Sequence, residues 1–187
     1  MIRYLRLVIA IPLLLVAVAC STQQNSTSGG GNPELEAKAR TALQQLFDTT
    51  PKAKDIQYQA KAVLVFPDIL KAGFLVGAQG GNGVMFSADG KVMGYYNATA
   101  LSYGLQAGVQ SFSEAMFLMT DSAINYLNSS DGWSIGMGPS VVVVDAGMGK
   151  SMTTTTLQSD VYAFIYGQQG LMAGLGVQGQ KITKINP

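Results

Sequence analysis

Apolar residues recur at helical spacing from Leu35 through Ala39, Ala42, Leu43 and Leu46 to Phe47, which predicts an amphipathic helix over 33–49. Asn32 followed by Pro33 supplies its cap and first-turn residue. Thr50-Pro51 repeats that start signal and predicts a second helix over 51–61, with Lys52, Lys54 and Asp55 on its polar face. The period then changes. Ala62 to Phe66 reads as a short apolar strand stopped by Pro67, with Asp68 capping a turn. Val84–Phe86 and Lys91–Met93 flank Ser87-Ala88-Asp89-Gly90, a hairpin signal. Ser102–Val109 and Ser111–Met119 read as extended, and Thr120–Leu127 as a short helix capped by Thr120. The β-branched run Val141–Val144 predicts a strand buried on both faces. Met152–Leu157, Val161–Tyr166 and Gly170–Ile185 supply the last strands.

These elements predict one α+β domain over 33–187. N-terminal helices pack on a twisted, largely antiparallel, barrel-like β-sheet. Two of its strands alternate small or amide residues with apolar ones. With a period of two, Gly104, Gln106, Gly108 and Gln110 share one face, and so do Gly174, Gly176, Gln178 and Gln180. Glycine inside a strand marks a sharp bend or the close approach of another group. Gly104, Gly108, Gly174 and Gly176 therefore define either a side-chain-free strip for a lipid chain or a curved sheet with a helix packed on it.

The first twenty residues belong to no domain. Arg3 and Arg6 precede an apolar run from Leu7 to Val16, and small residues Ala17-Val18-Ala19 lead to Cys20. This is the order of a secretory signal ending in a bacterial lipobox. Residues 1–19 are expected to be removed and Cys20 to be lipidated on its sulfur and its amine; the alternative is cleavage after Ala19 beside an incidental cysteine. More than one acyl chain is what stable anchoring needs. Ser21, rather than Asp, at the next position resembles the outer-membrane sorting class, facing the periplasm. Residues 20–32 then form the lipidated Cys and a flexible tether.

Composition narrows the chemistry. The chain has no His, which excludes Ser-His-Asp and Cys-His catalysis and His-ligated zinc. Its single Cys excludes an internal disulfide. Charged residues make up 12%, and losing Arg3 and Arg6 leaves ten basic against eleven acidic residues, so nothing tracks nucleic acid. Val144–Ser151 ends like a phosphate-binding loop, but Val144 stands where that motif needs Gly and Met152 onward is strand-like, so a hairpin turn is expected. Gly77, Gly80, Gly81 and Gly83 follow no dinucleotide fingerprint, and Asn97-Ala98-Thr99 is a chance glycosylation match. Glu114, inside an expected strand, is either a buried functional carboxylate or an exposed edge residue. No cofactor and no metal site is expected.

Ala60–Pro67 with Lys71-Ala72-Gly73-Phe74 through Gly77 and Gly83, then Leu101–Gln110, then Val161–Phe164 through Gly170–Gly174 to Lys181-Ile182, resemble in order the blocks of the SYLF domain. The resemblance implies a lipid-binding domain, associated in eukaryotes with phosphoinositides and actin. Helix 33–49 departs from the basic helix of those relatives, since Lys38 and Arg40 face Glu34, Glu36 and Asp48. Neither actin nor polyphosphoinositide specificity is therefore expected in this compartment. Lys52, Lys54, Lys61 and Lys71 are the cations nearest the opening block and are candidates to meet lipid phosphates. The expectation is a non-enzymatic periplasmic lipoprotein that binds membrane phospholipid. The alternative is an envelope module that docks a protein partner or peptidoglycan without a lipid ligand.

Overall fold

A computed structural model describes residues 31–129, 131–144 and 158–186. Cys20 and its tether, the turn expected at 144–151 beyond Val144 and the strand expected at 152–157 lie outside the described residues. Helix α1 spans Pro33–Thr49, and Asn32 Oδ1 accepts from the Leu35 N–H at 3.0 Å. Its buried stripe is Ala39, Ala42, Leu43 and Leu46. Helix α2, Pro51–Gln57, is shorter than its pattern suggested. The chain leaves the helix because the Lys61 N–H is already donated to Leu118 O at 2.9 Å, which commits it to the sheet.

Three long strands build the fold: β1 (Ala62–Ser87), β2 (Val92–Leu118) and, at the end of the chain, the strand Val161–Ile185. Between them lie α3 (Asp121–Leu127), β3 (Trp133–Ser134) and β4 (Val141–Val144), so the last strand is β5. The order is β1-β2-β5-β3, antiparallel throughout, with β4 added to β5 in parallel. Ser87–Gly90 forms the β1–β2 turn, with the Gly90 N–H donated to Ser87 O at 2.9 Å.

A straight strand of β1's 26 residues would be about 85 Å long, several times the radius of gyration of about 15 Å expected for such a domain. The sheet therefore curls into a half-barrel. A Cβ on Gly81 would lie 2.6 Å from Asp68 O, and one on Gly83 would lie 2.5 Å from the Phe66 ring. The second half of β1 thus passes directly over the first.

Three expectations are corrected here. Pro67 does not stop its strand: β1 continues through it by a register shift between Phe66 and Ile69. A bulge leaves one residue unpaired, so the missing N–H of Pro67 costs nothing there, and its carbonyl accepts from Ser113 Oγ at 2.7 Å. Asp68 is an exposed residue of that bulge, not a turn cap. Val141–Val144 is not buried on both faces. Among the described residues it pairs with β5 alone, and Val143 is 56% exposed while Val144 is buried.

The proximal half of the sheet, where the strands begin and end, is covered on both faces. Alternate residues Val63, Val65, Phe117 and Phe164 meet α1 and α2 in one cluster. Leu64, Phe66, Met116 and Ala163 meet α3 and Trp133 in the other. The distal half, where the strands turn back, carries no such cover among the described residues.

Candidate functional site

The four candidate lysines do not converge. Lys52 pairs with Asp55 at 3.3 Å on α2, and Lys61 pairs with Asp121 at the start of α3. Lys54 is exposed on α2, while Lys71 is half-buried within β1 opposite Gln110. Lys38 is held by Glu34 at 2.6 Å, so α1 offers no basic face. These cations are spread from the helices to the middle of the sheet.

The glycines mark the bend of the sheet. Gly104 and Gly108 have φ values of 147° and 137°, which break the expected two-residue alternation. At Gly108 the side-chain position is filled by the neighbouring strand, since a Cβ would lie 2.1 Å from Leu171 O. There the strip is neither an open lipid track nor a seat for a helix. Gly174 and Gly176 stand opposite Gln106 and Gly104 in the β2–β5 ladder; what covers them lies outside the described side chains.

At the same level β1 turns a corner. A Cβ on Gly73 would lie 2.5 Å from Gly77 Cα, and the register shifts between Phe74 and Val76. Leu75, between them, has φ 63°. Phe74 is 74% exposed, and Leu75 and Val76 are each about half exposed. On the adjoining strands Tyr103, Val109 and Leu171 are exposed as well. Beside the corner lies an open, mainly apolar depression of about 690 Å³, lined by Ala78, Thr99, Leu101, Tyr103, Gly179 and Lys181. Lys181 makes no ion pair among the described residues. A second depression, of about 490 Å³, lies between α1 and the Pro67 bulge and is more polar, with Lys38, Gln45, Asp68 and Gln169 on its walls.

Sequence reasoning missed this half of the sheet, although one signal was available. Residues 72–88, 92–113 and 161–180 contain no Asp, Glu, Lys or Arg. All three long strands are uncharged where they form the uncovered half, and the register places Lys71 and Lys181 near its borders.

Glu114 lies inside the curl, 4% exposed, and accepts from Gln180 Nε2 at 3.0 Å. Burial pushes its carboxyl above the ordinary range, against the smaller lowering effect of the Gln180 bond. Gln79 and Gln180 flank Ala100 in one row across the three strands, so the interior holds amides around a single carboxyl. This is a buried carboxyl, not the exposed edge residue. Among the described residues no three acidic or thiol groups gather as metal ligands, and Glu114 faces an amide instead of a catalytic partner.

None of the described helices is long and apolar enough to cross a membrane. No curated protein matches the chain. A family model does: Ysc84, described as Las17-binding protein actin regulator, over residues 99–186. The matched range holds most of β2 and all of β5, and so two of the three resembling blocks; the opening block on β1 precedes it. Residues 99–186, just under half of the chain, thus match the Ysc84 family model, which is consistent with a SYLF-domain protein.

Proposed function

We propose that this chain is a non-enzymatic lipoprotein, anchored through Cys20 in the outer membrane and facing the periplasm, whose SYLF domain binds phospholipid. The observation that carries the reading is the uncovered half of the sheet. It bears no charge on three adjacent strands and exposes Phe74, Leu101, Tyr103 and Leu171. Soluble proteins seldom leave so many large apolar side chains together, and such patches mark interaction sites. Lys181 and Lys71 border it at positions where phosphates would lie over an apolar floor. The family's name supplies an actin regulator, but an exported protein meets no actin in the periplasm, so the membrane-binding side of the family is the part carried over.

The chain from Ser21 onward keeps both core clusters and lacks the acyl anchor. It should sediment with phosphatidylglycerol–phosphatidylethanolamine vesicles at low salt, or carry co-purified lipid in native mass spectrometry. A clean apo mass together with no sedimentation at low salt overturns the reading. Retention on peptidoglycan instead would favour the docking module.

A further inference from the structure

Resting on that reading, we infer that the β1 corner Phe74-Leu75-Val76 is the element that enters the acyl layer of the bilayer. Leu75 is disfavoured twice over. Its left-handed backbone is one that glycine or asparagine adopts far more readily, and the described residues hold no other non-glycine with positive φ. Its side chain is also half exposed to water. Folding alone would select a polar residue or glycine here. A strained backbone carrying exposed apolar surface points to a ligand that takes up that surface.

The shape of the corner selects the ligand. Gly73 and Gly77 close to backbone contact, so the three side chains stand on a sharp turn and not on a broad face. A stable protein interface needs roughly 800 Å² from each partner, which such a turn does not offer, whereas a bilayer receives a projecting apolar point. Val76 pairs with Tyr103, which places a phenol beside the corner, and phenols favour the depth between headgroups and acyl chains. Lys71, three residues before Phe74, and Lys181, beside Tyr103 in the depression, sit where phosphates would lie.

The anchor is compatible with this orientation. Asn32 donates its N–H to Tyr95 Oη, and Tyr95 pairs with Val84, nine residues along β1 from Leu75. Leu75 thus lies at most about 30 Å from Val84, and the strand pairing with the tyrosine side chain adds roughly 15 Å to reach Asn32. The twelve residues from Cys20 to Asn32 reach about 40 Å when extended. The curl of β1 shortens the path below the straight-strand bound, so Cys20 and the corner can enter the same leaflet.

The chain from Ser21 onward contains no other thiol, so Leu75→Cys and, as a control on the helical end, Tyr58→Cys each take one environment-sensitive fluorophore. With phosphatidylglycerol vesicles containing brominated lipid, the label at 75 should shift to the blue and be quenched about twofold or more, while the label at 58 stays aqueous. Leu75→Gly should melt no lower than the parent, because glycine accepts the backbone, yet bind vesicles about tenfold more weakly. Emission from the buried Trp133 reports folding in every variant. Three results overturn the inference alone: vesicle binding with the label at 75 wet, full binding by Leu75→Gly, or a label at 75 that is dry in a lipid-free dimer. Absence of vesicle binding by the parent overturns this inference too, and together with a clean apo mass it overturns the proposed function.

Discussion

At the residue scale, Glu114 is the side chain whose environment most opposes its chemistry. It is a carboxyl enclosed by the curl, with Gln180 as its donor, and burial favours its protonated form. Its pKa is higher folded than unfolded, so the folded chain holds this proton more tightly. Stability is then greatest below the unfolded pKa and falls as pH rises through the raised folded value. Glu114→Gln removes the ionisation and keeps an acceptor for Gln180 Nε2. The variant should melt a few degrees above the parent at pH 7–8, corresponding to about 1–2 kcal/mol, and the gap should close near pH 4. Calorimetry across that range checks both the gain and its disappearance. Sequence left open whether Glu114 was buried or at an edge, because strand alternation shows which residues share a face and not what lies over that face.

At the scale of elements, the helices were legible and the strand ends were not. Local signals define α1 and α3: a side-chain cap, apolar residues at helical spacing, and a stop. Proline and glycine, which elsewhere end strands, here bend them while pairing goes on. Pro67 sits in a bulge of β1, and the stretches read as Ser102–Val109 and Ser111–Met119 are, up to Leu118, parts of the single strand β2. The separate readings of Val161–Tyr166 and Gly170–Ile185 likewise merge into β5. The uncharged composition of the exposed half could be counted from the chain, but the corner depends on Gly73 meeting Gly77, which only the curled sheet reveals. Glycines in these strands are not equivalent. Gly108→Ala would force a methyl against the Leu171 carbonyl at a φ that alanine resists, and should cost about 2 kcal/mol or more. Gly179→Ala meets nothing within 4 Å and should change stability by less than about 0.5 kcal/mol. Chemical denaturation of the pair measures the contrast.

At the scale of the whole molecule, the described helices cover one half of the sheet and none of them covers the other. α1 and α2 lie on one face, and α3 with Trp133 lies on the other. The proposed anchor adds a covalent contact with the same membrane. Cys20→Ala should abolish incorporation of labelled fatty acid in cells while leaving the melting temperature of the folded chain unchanged, since every residue of both core clusters lies beyond the tether. Labelling followed by gel separation tests the first point and calorimetry the second.

The position of β5 also governs how the chain is completed. It is the last of the described elements, and it covers the second edge of β2 from Tyr95 to Leu118. Until the final residues are available, the β1–β2 hairpin presents a long open edge with little charge to discourage pairing with other chains. Local turn formation at Ser87–Gly90 can begin early, but the ladder closes only when residues 161–185 arrive from far along the chain. Such a protein gains little stability by folding during synthesis.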